Sequence, residues 1–148
     1  MSRIPKAALW LGLAGLLPFV WSALLVLGLQ PSTHWSLPTA LLGDGRAIML
    51  DYGGIILSFM AGVLWGFAAK AQGPRVPFAY ALSVLPALWW FLAPAASNGA
   101  AVINLVVGFL GLLLLDCLFT KWALTPPWWL ALRVLLTAVV LVCLLVGV

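Results

Sequence analysis

Two charged residues near the C-terminal end of the chain are the strongest candidates for chemistry. Asp116 lies five residues before Lys121, where an apolar helix should end, and Arg133 follows the helix-starting pair Pro126-Pro127 by six or seven residues. In an antiparallel hairpin the two side chains would lie at a similar depth, roughly 7–10 Å inside a membrane. Because unpaired charges are costly there, the sequence predicts either a buried ion pair that locks the hairpin or a functional site. In the absence of a pair, Arg133 would extend to lipid phosphates.

Five other residues could form a polar site or line a pocket, and each has a structural alternative. Asp51 begins the set, and we interpret it as a solvated acid near a helix start, with a proton-carrying carboxylate as the alternative. Asn104 is expected to bridge two helices through its amide. The remaining three candidates are Trp65, Tyr80 and Ser83.

The pocket hypothesis concerns Trp65 and Tyr80, which we expect either to pack or to line a site for a quinone or lipid.

Pro86 frees a backbone carbonyl about one turn earlier, near Leu82. We expect that Ser83 or a neighbouring helix satisfies this carbonyl.

Catalytic and metal-binding motifs are missing from the sequence. It contains no HExxH, CxxC, phosphate loop or G-x-S-x-G elbow. The single histidine, His34, stands beside Trp35 in a polar loop and is interpreted as an interfacial residue. Cys117 and Cys143 lie in separate apolar segments, so we expect inert thiols. We therefore expect neither an enzyme nor a cofactor, a metal site or nucleic-acid binding.

The composition requires a membrane. The chain has 148 residues, of which 66% are hydrophobic and only 7% are charged, whereas soluble domains carry about 25% charged residues. The sequence thus predicts an all-α integral membrane protein, a bundle of five transmembrane helices forming a single transmembrane domain. Pro18 should kink the first helix, which we expect to remain uncleaved, and residues 39–42 should form a short interfacial turn. The five helices are predicted at residues 7–29, 46–71, 75–93, 98–121 and 127–148.

Small residues recur every fourth position in the second predicted helix. At that spacing they leave a shallow groove in which another helix can lie closely. Matching small residues occur in the first, third and fourth helices, so we expect this groove to form the intramolecular core. Its members are Gly54, Ser58, Gly62 and Gly66.

Lysine and arginine residues are distributed asymmetrically about the five predicted helices. Only Arg46 lies on one side, and the positive-inside rule places the opposite side in the cytoplasm. The N-terminus is then predicted to be cytoplasmic and the C-terminus periplasmic. The six residues on the cytoplasmic side are Arg3, Lys6, Lys70, Arg75, Lys121 and Arg133.

Four segments and an acidic residue, spread over nearly the whole chain, resemble a known family in the same order. It is a small multi-pass family, carrying a domain of unknown function, that includes human transmembrane protein 69 and bacterial relatives. The resemblance implies about five helices and a bacterial inner-membrane or mitochondrial location. It also implies a histidine before the tryptophan of the second helix, where this chain carries Leu64. The matching features are LGLAGLLPFV at 11–20, ILSFMAGVLWG at 56–66, YALSVLPAL at 80–88, Asp116, and PPWWLALRVLLT at 126–137.

Three functional hypotheses follow from these residues. The leading one is a non-enzymatic accessory or assembly subunit that packs, in the lipid bilayer, against a membrane-protein partner or another copy of itself. The second is a small transporter or channel for protons or a hydrophobic solute. The third is a quinone- or lipid-binding protein with a pocket near Trp65 and Tyr80.

Overall fold

The computed structural model describes residues 3–29, 38 and 41–148, and within them it contains helices and no strand. The first two helices follow each other almost directly and together make one apolar span. With the other four, the described chain has five spans long and apolar enough to cross a membrane, which confirms the predicted fold class. The helices are α1 (Lys6–Ala14), α2 (Leu17–Val26), α3 (Gly45–Ala68), α4 (Val76–Leu92), α5 (Asn98–Lys121) and α6 (Trp129–Val146).

The first span is interrupted at Gly15 and Leu16, just before Pro18 in the first turn of α2. A proline ring clashes with the carbonyl four residues earlier, so the helix breaks on the N-terminal side of the proline rather than at the proline itself. The hydroxyl of Tyr52 on α3 donates a hydrogen bond of 2.9 Å to the carbonyl oxygen of Gly15. A backbone acceptor within the break is thus satisfied from a neighbouring helix, as lipid surroundings require.

Two of the helices begin with a side-chain cap. The Asp44 carboxylate accepts from the Arg46 backbone N–H at 3.1 Å, and Ser97 Oγ accepts from the Ala100 N–H at 3.2 Å. Each cap satisfies a backbone donor that the helix leaves free. The GDG turn and the Ser97-Asn98 pair therefore fix where α3 and α5 begin.

α3 is the central helix of the bundle. It packs against α2, α4 and α5, while α6 packs against α5, α2 and α1. The core between these helices centres on Phe19, whose ring lies edge-on to Tyr52 at 5.2 Å and to Phe109 at 5.9 Å between centroids. Arg46 Nε also donates to the Gly147 carbonyl oxygen at 2.8 Å, which ties the start of α3 to the end of α6.

The small-residue groove does not form the intramolecular core, so that prediction was wrong. Gly54 is buried against the Trp90 indole, but Ser58, Gly62 and Gly66 are all exposed. A Cβ built on Gly62 or Gly66 would meet no atom within 4 Å. On a helix with 3.6 residues per turn, each step of four residues rotates the position by about 40°. The row of small residues therefore leaves the contact with Trp90 toward the C-terminal end of α3.

Candidate functional site

The side chains of Asp116 on α5 and Arg133 on α6 form an ion pair in the structure. Arg133 Nε donates to Asp116 Oδ2 at 2.7 Å, and the two side chains are 5% and 0% exposed. Trp129 Nε1 donates to the other carboxylate oxygen, Oδ1, at 2.7 Å. The carboxylate therefore receives one donor on each oxygen, and both donors come from α6.

The α5–α6 connection holds this arrangement in register. Thr120 Oγ1 donates to the Asp116 carbonyl at 2.8 Å and lies 2.9 Å from Thr125 Oγ1. Since the single Thr120 hydroxyl proton is already used, Thr125 is the donor in the second bond. Ala123 has φ +57°, a left-handed conformation that reverses the chain, and Leu124 N–H returns to the Phe119 carbonyl at 3.0 Å. The short turn brings the first turn of α6 beside the last turns of α5.

Two polar atoms beside the ion pair lack hydrogen-bond partners within the described residues. They are Arg133 Nη2 and Thr137 Oγ1, and both are buried. Residues four apart lie on one helix face, so the two atoms belong to the same side of α6. Both residues line a crevice of about 160 Å³ between α1, α2, α3, α5 and α6. We call it the Arg133 crevice.

The sequence analysis found neither Thr137 nor the role of Trp129. The signal for Thr137 was a hydroxyl one turn after the only charge in an otherwise apolar helix. The Pro-Pro-Trp-Trp sequence places Trp129 at a helix start, where a tryptophan is typical of the membrane interface and does not indicate a buried hydrogen bond. Only the structure distinguishes it from Trp128, since its indole is the one bonded to Asp116.

Asp51, Ser58 and Trp65 share one face of α3, and that face points outward. Asp51 and Ser58 are exposed, and Trp65 is 51% exposed. The Trp65 ring lies 4.6 Å from the Tyr80 ring between centroids, so the two aromatics pack on each other. Neither lines the Arg133 crevice.

Ser83 and Asn104 make different hydrogen bonds from those predicted. Ser83 Oγ donates to the Tyr80 carbonyl at 2.7 Å, so its proton does not satisfy the Leu82 carbonyl freed by Pro86. The Asn104 amide donates to the Pro94 carbonyl at 2.9 Å, which fastens the α4–α5 connection rather than bridging two helices. In each case a nearby backbone carbonyl is the acceptor: that of Tyr80, three residues before Ser83, and that of Pro94, in the connection that precedes α5.

The structure does not bring the candidate residues for transport together. Asp116 and Arg133 are joined to each other, whereas Asp51 lies on the outward face of α3 and the Asn104 side chain on α5 bonds the α4–α5 connection. The six candidates are Asp51, Tyr80, Ser83, Asn104, Asp116 and Arg133. Leu64, at the position where the resemblance implies a histidine, is fully buried in the core. His34, Trp35 and the first part of the predicted turn at 39–42 lie outside the described residues.

Five apolar helical spans with a buried ion pair define a small multi-pass helical membrane protein. The family model described as "Protein of unknown function (DUF3429)" matches residues 4–148, and the chain belongs to this family. The resemblance that the sequence indicated is thereby confirmed.

Two curated relatives carry the name Transmembrane protein 69. The one from Xenopus tropicalis is 40% identical over 141 residues, covering 91% of this chain and 51% of its own length. The one from Mus musculus is 32% identical over 139 residues, covering 91% of this chain and 52% of its own length. This chain thus spans about half the length of these relatives. No solved structure gives a significant match.

Proposed function

We propose that this membrane protein is a non-enzymatic accessory or assembly subunit that packs against a partner in an inner-membrane complex. The observation that carries the proposal is the outward face of α3, where Ser58, Gly62 and Gly66 are exposed. We call these three residues the outer small-residue stripe.

The outer small-residue stripe differs from the glycines that serve the protein's own core. A Cβ on Gly53 would lie 2.6 Å from Leu105 Cδ1, and one on Gly54 would overlap Trp90. Those two glycines are needed for internal packing, whereas Gly62 and Gly66 have open space above them. Transmembrane helices associate through small residues that let two backbones approach closely. A partner helix would use the space that this bundle leaves empty.

Asp51 supports a partner of particular chemistry. It lies on the same face, six residues after Gly45 and so about 9 Å along α3. An exposed carboxylate at that depth is costly in lipid unless a donor or cation faces it. A parallel second copy crossing on this stripe would bring two Asp51 carboxylates together. A different transmembrane helix with a basic or hydrogen-bond-donating residue at this depth is the better match.

The proposed location is the bacterial inner membrane, with the N-terminus in the cytoplasm and the C-terminus in the periplasm. Its support is the family resemblance together with the six-to-one distribution of basic residues. In a mitochondrial setting the matrix would take the place of the cytoplasm.

The test is affinity isolation of tagged protein from native membranes in a mild detergent, followed by identification of stoichiometric partners. Gly62→Leu fills the outer small-residue stripe without touching the core, because its Cβ has open space. Gly111→Leu is the matched control, since a Cβ there also meets no atom within 4 Å but lies on α5. We expect a transmembrane partner with the wild type and with Gly111→Leu, and its loss with Gly62→Leu.

Two results would overturn the proposal. One is a wild-type protein that is isolated as a monomer without a stoichiometric partner. The other is a partner that remains bound to the Gly62→Leu variant. Isolation of a homodimer alone, dissociated by Gly62→Leu, would replace the heterologous partner with a second copy.

A further inference from the structure

The Arg133 crevice has the features of a ligand site rather than of an ordinary packing defect. Buried polar atoms in proteins are almost always hydrogen-bonded, and membrane interiors offer no water to replace a missing partner. Within the described chain, Arg133 Nη2 and Thr137 Oγ1 are exceptions, and both residues line the same space. Both atoms are themselves covered, so a ligand atom that accepts hydrogen bonds would satisfy them only after a shift of the Arg133 and Thr137 side chains turns both donors toward the crevice.

The charge balance at this place favours a neutral acceptor. Arg133 already bonds Asp116 through Nε, and the carboxylate is the counter-ion of the guanidinium. A second anion in the crevice would leave a net negative charge buried in an apolar bundle, which is costly. A carbonyl oxygen accepts hydrogen bonds from Nη2 and from the Thr137 hydroxyl without adding charge.

The remaining walls of the crevice are apolar and lead toward lipid. Leu11 on α1 and Phe59 on α3 both line it, and they are 75% and 64% exposed. A ligand would therefore enter sideways from the bilayer, between these two side chains. Apart from Arg133 and Thr137, every residue that lines the crevice has an apolar side chain or is a glycine.

The crevice volume limits the size of the bound group. At about 160 Å³ it is close to the roughly 150 Å³ of an engineered apolar cavity that holds one benzene molecule. The space thus accepts a single six-membered ring, and any longer apolar tail would have to extend past Leu11 and Phe59 into lipid.

We propose that the Arg133 crevice binds the ring of a lipid-soluble quinone, with one carbonyl oxygen accepting hydrogen bonds from Arg133 Nη2 and Thr137 Oγ1. This class combines a neutral carbonyl, a single ring and an apolar tail. The site differs from the predicted pocket at Trp65 and Tyr80, and its lining shares no residue with the outer small-residue stripe.

The binding test uses purified protein in lipid nanodiscs and 2-decyl-1,4-benzoquinone with ¹³C-labelled carbonyls, because this ring carries no substituent besides its tail. Cys117 and Cys143 are replaced by alanine, since the unsubstituted ring carbons would add thiols. We expect saturable binding and an infrared carbonyl band at lower frequency than that of the same quinone in empty nanodiscs. Thr137→Val keeps the side-chain shape and removes the hydroxyl, and it should weaken binding about fivefold and reverse part of the band shift. Ser83→Ala also removes a buried hydroxyl, but Ser83 lies on α4 outside the crevice, so this control should change neither value.

The position of the ligand is tested separately, so that the result does not depend on one variant. A diazirine on the first carbon of the decyl tail should crosslink the wild type beside Leu11 on α1 and Phe59 on α3. Crosslinking to the exposed face of α4 around Phe78 would place the quinone elsewhere and overturn the proposal.

Three binding results would also overturn it. The first is the absence of saturable quinone binding, with only water in the crevice. The second is quinone binding with a carbonyl band and affinity that Thr137→Val leaves unchanged. The third is displacement of the quinone by a fatty-acid carboxylate that binds more tightly and depends on Thr137, because this would make the ligand anionic.

Discussion

Arg133 Nε and Asp116 Oδ2 lie 2.7 Å apart across the α5–α6 hairpin, and both side chains are buried. A short turn connects the two helices, and the ion pair lies close to this turn. The ion pair therefore joins the two spans directly, together with the hydrogen bond from Trp129 Nε1 to Asp116 Oδ1.

Removing either partner should destabilise the protein strongly. Asp116→Asn leaves the guanidinium of Arg133 buried without its counter-ion, and Arg133→Gln does the same to the carboxylate of Asp116. Each substitution should cost about 3–5 kcal/mol. The double variant has no charge to match, so its loss should be smaller than the sum by about 1–3 kcal/mol. The measurement is the free energy of unfolding in mixed micelles of the wild type, the two single variants and the double variant. Fully additive losses would show that the contact contributes nothing beyond its separate parts.

Trp129 should matter more than its neighbour. Trp129→Phe removes the donor to Asp116 Oδ1 while an aromatic ring remains to pack on Phe67, whose centroid lies 5.0 Å away. The expected loss is about 1.5–3 kcal/mol, because the hydrogen bond is to a charged group. Trp128→Phe serves as the control and should have a clearly smaller effect. Equal losses for the two variants would contradict the assigned bond.

The two kinds of glycine on α3 should respond oppositely to a methyl group. In Gly54→Ala the new Cβ overlaps the Trp90 indole, so we expect destabilisation of about 1–3 kcal/mol. In Gly62→Ala the Cβ meets open space, and the change in the isolated protein should stay within about 0.5 kcal/mol. Thermal unfolding of both variants in the same detergent compares them. A larger loss for Gly62→Ala would reverse the assignment of inner and outer faces.

The protein has two tyrosines, and only Tyr52 should be sensitive to loss of its hydroxyl. Tyr52→Phe leaves the Gly15 carbonyl in the α1–α2 break without this donor, at an expected cost of about 1–3 kcal/mol. Hydrogen exchange of the amides around the break should rise as well. Tyr80→Phe keeps the ring that packs on Trp65 and is the matched control. If Tyr52→Phe has the free energy of unfolding of the wild type and the same amide exchange rates around the break, the hydrogen bond to Gly15 is contradicted.

The proposed orientation predicts which turns face the periplasm. With Cys117 and Cys143 replaced, single cysteines are introduced at Gln72, between α3 and α4, and at Ala96, between α4 and α5. Both positions are exposed. A membrane-impermeant maleimide added to intact cells permeable only at the outer membrane should label Ala96→Cys and leave Gln72→Cys unlabelled. Labelling of Gln72→Cys alone would invert the topology.

The sequence by itself determined that this protein spans a membrane in five helical passes. A chain that is two-thirds hydrophobic and carries so few charges cannot cover its surface with polar groups and is suited to lipid rather than water. Each apolar run also has the length of a bilayer core. It also placed Asp116 and Arg133 at one depth, because distance from a helix end translates directly into depth at about 1.5 Å per residue.

Only the tertiary structure decided which face of each helix points inward. In a soluble protein the apolar face marks the core, but here lipid and core are equally apolar, so sequence periodicity did not separate Gly54, which packs inside, from Gly62, which faces out. The same ambiguity hid the bond from Trp129 to Asp116 and the place of Thr137 beside Arg133. Those relationships depend on how far α6 is rotated against α5, and that rotation is set by side-chain packing across the whole bundle.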